Sequence, residues 1–243
     1  MLFRSVSVPI VGDVLDEGAE ETFTLQLSSA LNATVADGVG LGTIVDDDGA
    51  PSMTISDVTV IEGAASATTT AAFTVTLAEA SARAITVDYS TTDGTAQSGL
   101  DYASVAGTLD FAPGVLTRTI VVTVLGDGLY EGVSENFRVL LSNAVNATIG
   151  DPVGEALITD DDPLSSLSVS DVVISEGDAG TSEAIFIVSL SAPGGLGVSF
   201  DYATSDAGAV DGSDYTARSG SLTLNPGQVV DSIPVVEIGR AHV

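Results

Sequence analysis

Residues 127–137 read DGLYEGVSENF, and residues 13–23 read DVLDEGAEETF. They share the pattern D-x-L-x-E-G-x-x-E-x-F at a spacing of 114 residues, and the spacing persists outward from them. It aligns LNATVADGVG with VNATIGDPVG (Asn32 with Asn146), VDDDG with TDDDP (Asp46 with Asp160), and SDVTVIEG with SDVVISEG (Glu62 with Glu176). After one deletion it becomes 113, pairing TTDGTAQSGLDY with TSDAGAVDGSDY, so that Asp93 matches Asp206 and Tyr102 matches Tyr215. Self-similarity at a fixed period is the signature of a repeat architecture. The sequence therefore divides into the C-terminal half of one copy (1–49), a complete copy (50–163) and the N-terminal two-thirds of a third (164–243).

Within the complete copy, short alternating runs are separated by Gly, Pro, Asp and Asn turns: SMTISDVTVI, AAFTVTLA, AITVDYSTT, GTLDFAP, TRTIVVTVLG, ENFRVLLSN and EALITD. Alternation places Phe73, Val75 and Leu77 on one face of a strand and Thr74 and Thr76 on the other. No segment carries a helical period. About seven strands in roughly 110 residues predict an all-β fold of tandem immunoglobulin-like Greek-key β-sandwiches. Asn32 and Asn146, in N-A-T triplets, are expected in hairpin loops rather than as glycan acceptors. Asp101, Asp214, Tyr102 and Tyr215 are expected to fix loops and pack.

Composition narrows the chemistry. The chain has 34 acidic and 6 basic side chains, none of them lysine, and a net charge of −28. Such a surface repels nucleic acid and anionic membranes and attracts cations. No run is long enough to span a bilayer as a helix. With no cysteine and a single histidine, Ser/His, Cys/His and Schiff-base catalysis lack their groups. Only a carboxylate pair remains conceivable, and no motif locates one. The chain is expected not to be an enzyme. Its ends, MLFRS (1–5) and IGRAHV (238–243), resemble translations of a sequencing-adapter oligonucleotide read on its two strands, which would remove His242 from the natural chain. On that reading the sequence is an internal fragment of a longer protein.

The acidic motifs fall at strand exits, and strand exits cluster at the ends of a sandwich. If Glu62, Asp93, Asp127, Glu131, Glu135, Asp160, Asp161 and Asp162 meet at one end, carboxylate oxygens surround a small volume suited to calcium, which takes six to eight oxygen ligands. Magnesium, which retains water, and zinc, which wants His or Cys, fit less well. The solvated alternatives are linker charge for the Asp triplets and turn residues for Glu62, Asp93 and Glu176.

In this order VIEG, DYSTTDGTAQSGLDY, GTLDFAPG, GDGLYEGVSENFRVLLSNAVNATIG and ITDDD resemble the Calx-β repeat over essentially the whole chain apart from its ends. The resemblance implies that Glu62, Asp93, Asp127, Glu131, Glu135 and Asp160 to Asp162 hold several calcium ions. Where calcium-binding members have adjacent acids at the strand exit, this copy has GDG, which puts one or more ion sites in doubt. By the same motif positions the first copy keeps Asp13, Glu17, Glu21, Asp46, Asp47 and Asp48, and the third keeps Glu176 and Asp206. The function expected is a calcium-binding structural or adhesive module of an extracellular or cell-surface protein, with calcium ions, neighbouring repeats of the same chain and a cell-surface or matrix ligand as its partners. The alternative is a calcium-independent spacer or protein-recognition module, with an enzyme domain elsewhere in the parent chain.

Overall fold

A computed structural model describes residues 4–18 and 20–240, so His242 and the outermost ends lie outside the described residues. The described chain is all β. Among the described residues no helix is long and apolar enough to cross a membrane. In chain order the strands are β1 (Glu21–Gln26), β2 (Val39–Ile44), β3 (Ser52–Ile55), β4 (Val58–Ile61), β5 (Thr68–Leu77), β6 (Ile85–Asp93), β7 (Ala106–Phe111) and β8 (Thr117–Leu125). They continue with β9 (Ser134–Val145), β10 (Thr148–Ile149), β11 (Val153–Thr159), β12 (Leu167–Val169), β13 (Thr181–Leu190), β14 (Val198–Ala203), β15 (Ser219–Leu224) and β16 (Val230–Ile238).

The complete copy is a β-sandwich of a four-stranded sheet, β10-β3-β5-β8, and a five-stranded sheet, β4-β11-β9-β6-β7. Phe73, Val75 and Leu77 are buried as the alternation requires, and Val87, Phe111, Ile120, Val122, Phe137 and Val139 complete the core between the sheets. Tyr102, 1% exposed, stacks on Phe137 at 4.2 Å between ring centroids. Phe73 meets the same ring edge-on at 6.1 Å.

The first predicted strand is in fact two. It breaks at Ser56 and Asp57, and its halves enter opposite sheets. Ser56 is held to β5, its N–H donating to the Thr74 carbonyl and its Oγ accepting from the Thr74 N–H, each at 3.0 Å. Asp57 instead accepts from the Glu155 N–H of β11 at 2.8 Å. Adjacent residues are thus claimed by different sheets, which forces the crossing.

The first copy contributes the antiparallel pair β1-β2. The third contributes a three-stranded sheet, β12-β13-β16, and the pair β14-β15. Asn32 and Asn146 adopt φ of 57° and 60°, the left-handed conformation of a loop residue. The structure gains nothing from Asn146 as an open acceptor: its side chain donates to the Ala84 carbonyl at 2.8 Å and accepts from Arg83.

By contact density the chain groups into two compact units. One holds the first copy and the body of the complete sandwich. The other holds residues 60–69, residues 124–135 and the chain from residue 158 onward, and it is the one that carries Glu62, Asp127, Glu131 and Asp160 to Asp162.

Candidate metal centre

The acidic loops are assembled by backbone amides. Residues 124–135 leave β8 through Gly126, whose N–H donates to the Ala67 carbonyl at 3.0 Å and whose carbonyl accepts from Ser66 at 2.9 Å. A Cβ at Gly126 would lie 2.4 Å from the Gly63 carbonyl oxygen, so only glycine permits this approach. Asp127 then turns the chain by accepting from the Leu129 N–H at 2.7 Å, and its own N–H donates to Glu62 Oε1 at 3.0 Å. Glu62 follows β4, its N–H bonded to the Thr159 carbonyl at 2.9 Å, and is 4% exposed.

The three consecutive aspartates do three different things. Asp160 organises: Oδ2 accepts from the Glu131 and Gly132 amides at 2.8 and 3.2 Å, and Oδ1 accepts from the Asp162 amide at 2.8 Å. Asp161 reaches the Gly63 N–H at 3.0 Å. Asp162 Oδ2 is buried with no hydrogen-bond partner. Ligand oxygens of Glu62, Asp127 and Glu131 lie within 4.8 Å of one another, and so do those of Glu62, Asp160 and Asp162. The two groups share Glu62.

Electrostatics follow from this crowding. Burial, then Asp127, Asp160 and Asp162, push the Glu62 carboxyl above its usual range against the opposing Asp127 amide bond. Burial first, then Asp160, Asp161 and Asp127, push Asp162 up as well. A buried carboxylate oxygen without a donor is costly, and a cation is the partner that removes the cost. The donor set is wholly oxygen, which fits a hard cation rather than zinc.

Other sequence-selected residues are placed differently. Asp93, at the end of β6, joins neither of these groups. Its Oδ1 accepts from the Tyr102 hydroxyl at 2.5 Å and the Ser98 amide at 3.0 Å. Asp206 repeats this, accepting from Tyr215 at 2.7 Å and Asp211 at 2.9 Å, with its carboxyl pulled down first by the tyrosine bond. Asp101 and Asp214 accept from Gln97 and Val210 amides within the same loops, at 2.6 and 2.8 Å. Glu135 is half-buried at the start of β9, and Glu176 is exposed on coil.

The first copy reproduces the loop bonding without a counterpart of Glu62. Asp46 Oδ2 accepts from the Glu17 and Gly18 amides at 2.8 and 2.7 Å, Asp46 Oδ1 from Asp48 at 3.0 Å, and Asp13 from Leu15 at 2.9 Å. These amides lower the Asp46 carboxyl, whereas Glu21 chiefly raises Glu17 and burial chiefly raises Asp48. Asp47 is the counterpart of Asp161.

Sequence reading missed the residues that join these loops to the next copy. The Asp16 carbonyl accepts from the Ala82 amide at 3.1 Å and the Ser81 hydroxyl at 3.0 Å, while its carboxylate lies 3.6 Å from Arg83. At the repeat spacing, the Tyr130 carbonyl accepts from the Gly195 amide at 3.0 Å. A Cβ on Gly195 would come within 2.6 Å of Glu131, so the turn of the third copy rests directly on a cluster residue. Asp16 facing Tyr130 in the alignment was the available signal, but it marks no charge pattern.

The Calx-beta domain profile matches residues 46–163 and 158–238. Sodium/calcium exchanger 1 of Rattus norvegicus is 38% identical over 82 residues, 34% of this chain and 8% of the relative. FRAS1-related extracellular matrix protein 2 of Homo sapiens is 30% identical over 168 residues, 66% of this chain and 5% of the relative. The chain therefore spans less than a tenth of the length of either. Among solved structures, the CBD12 crystal structure from CALX1.2 is 25% identical with a TM-score of 0.43, covering 77% of this chain and 75% of that one. With both profile matches falling on the copies that the internal repeat defines, the chain belongs to the Calx-beta domain family.

Proposed function

We propose that the complete copy is a calcium-binding structural module of an extracellular or surface repeat array. The observation that carries this reading is Asp162 Oδ2, a buried carboxylate oxygen lacking a donor in a group with Glu62 and Asp160. The two groups sharing Glu62 have the composition for two ions, with Asp127 and Glu131 serving one and Asp160 and Asp162 the other. Ion binding to the folded state alone stabilises it by mass action. Extracellular modules bind calcium at about 0.1–1 mM, so about 2 mM calcium contributes roughly 0.6–1.8 kcal/mol per ion. For a domain of about 110 residues that is a rise of roughly 3–10 °C in Tm.

Because Tyr130 and Glu131 also meet Gly195, an ion held by Glu131 restrains the turn of the following copy. Calcium then stiffens the junction as well as the module. The extracellular setting is supported by the matrix protein among the relatives. Catalysis is not part of this reading.

Isothermal titration and thermal melts of the full chain test it, with Asp162→Asn against Asp161→Asn. The expected result is a calcium-dependent rise in Tm, reduced at least tenfold in calcium affinity by Asp162→Asn and less by Asp161→Asn. Equal melting in calcium and in chelator would leave the alternative, a calcium-independent spacer. Small-angle scattering unchanged across a chelator titration would remove the stiffening while leaving the site.

A further inference from the structure

Two places in this chain seat one copy on the loop of the copy before it, and they share a backbone frame. At the first, the Ala82 amide and the Ser81 hydroxyl donate to the Asp16 carbonyl, and the Ser81 carbonyl accepts from the Gly114 amide at 2.9 Å. At the second, the Gly195 amide donates to the Tyr130 carbonyl, and the Gly194 carbonyl accepts from the Gly227 amide at 2.9 Å. The next residue, Arg83 or Leu196, lies over the glycine of the preceding E-G motif in both. A Cβ on Gly18 would come 2.5 Å from Arg83 Cδ, and one on Gly132 would come 3.9 Å from Leu196 Cδ1. On this common frame two side chains change, and they change together: Asp16 occurs with Arg83, and Tyr130 with Leu196.

The first pairing is ionic. Asp16 is buried, and its carboxylate lies 3.6 Å from the Arg83 guanidinium. Arg83 is held in place from its own copy, its amide donating to Ser81 Oγ at 3.0 Å and its guanidinium donating to Asn146. With leucine in place of Arg83, the Asp16 carboxylate would be left buried and uncompensated, which is strongly destabilising, whereas exchanging both partners for apolar ones costs little. An aspartate in place of Tyr130 would likewise stand next to Glu131 with only Leu196 in the cation's position. We infer that these two positions are a matching code between successive repeats. A loop carrying aspartate before E-G accepts a following repeat with arginine at the seat, a loop carrying tyrosine accepts one with an aliphatic residue there, and crossed pairings are rejected. Discrimination comes from the penalty on the crossed pair and not from extra attraction in the matched one. The partner recognised is another repeat of this family, and the code operates without calcium.

Amide hydrogen exchange of the full chain in chelator reads each seat separately, because the Ala82 and Gly195 amides make the bonds to the preceding loops. The Ser56 amide, bonded to Thr74 inside the complete sandwich, reports the fold in the same experiment. Asp16→Tyr and Arg83→Leu are each expected to speed Ala82 exchange about tenfold or more, and Asp16→Tyr/Arg83→Leu to return it to within about threefold of the wild type. Tyr130→Asp and Leu196→Arg should do the same to Gly195, with Tyr130→Asp/Leu196→Arg restoring it. Where a single variant also exposes Ser56, and so has lost its fold, the charge-reversed pair decides: Asp16→Arg/Arg83→Asp is expected to protect Ala82 about tenfold or more better than Asp16→Arg alone. Double variants that exchange as fast as the product of their single effects, single variants that leave both amides protected as in the wild type, or a reversed pair no better than Asp16→Arg would each overturn the inference.

Discussion

Glu62 and Tyr102 are two buried acids whose protons report on different parts of the complete copy. Glu62 has its carboxyl raised, so the folded state holds a proton that the unfolded state has released. Its favourable contribution is fully present below the unfolded value near 4.3 and is lost as pH rises through the folded value. In chelator, the stability of the wild type relative to Glu62→Gln should therefore fall as pH rises from about 4 towards 7, as followed by thermal melts. Calcium affinity should move the opposite way, because the ligand must be ionised. Tyr102 is pushed up to about 12, first by burial and then by its hydrogen bond to Asp93. Its contribution is intact below about 10 and lost as pH rises from about 10 to 12. Tyr102→Phe should cost about 1 kcal/mol at neutral pH and flatten that alkaline loss in denaturant titrations. That Glu62 and the triplet belong together was legible from their repeated positions. Which aspartate of the triplet is left without a donor was not, since it depends on amides from Glu131, Gly132 and Gly63.

Strand alternation made β5 readable from FTVTL, where the buried face is Phe73, Val75 and Leu77. It failed at SMTISDVTVI, where the inward positions shift phase from Met53 and Ile55 to Val58 and Val60, and the break between them is held by Thr74 and by Glu155, the latter 98 residues from Asp57. The two-residue strand β10 was likewise invisible, since its parallel pairing with β3 is set by tertiary contact. Asp93 and Asp206 show a similar limit: each carries the charge of a ligand, but a tyrosine nine residues on bonds to one of its two carboxylate oxygens, which no charge pattern announces. At the exit of β8 the decisive residue is uncharged. Gly126→Ala would drive a Cβ against the Gly63 carbonyl, and overpacking of this kind costs about 1–3 kcal/mol. The expected outcome is a lower denaturant midpoint at unchanged slope, together with weaker calcium binding, because Asp127 follows directly.

A chain with 34 acidic side chains, 6 arginines and no lysine repels itself when compact. Raising salt from about 10 to 150 mM shortens the screening length from about 30 to 8 Å and should raise the Tm of the chelated protein by a few degrees. The same change should matter less with calcium present, where ligation removes part of the repulsion; equal salt sensitivity in both conditions would count against ion binding at the acidic loops. The repeat spacing made the modular plan readable, while the backbone bonds Asp16 to Ala82 and Tyr130 to Gly195 needed coordinates, since amides leave no trace in side-chain pattern. The triplet also lies directly on the path by which β11 leads into the following copy. A pull transmitted along the polypeptide from that side meets the Asp161 and Asp160 carboxylate–amide bonds before it reaches the Glu62 to Thr159 bond at the strand's end. Tension would therefore load a cross-braced clasp instead of peeling the sheet one rung at a time, and an ion seated there would tighten that clasp under strain.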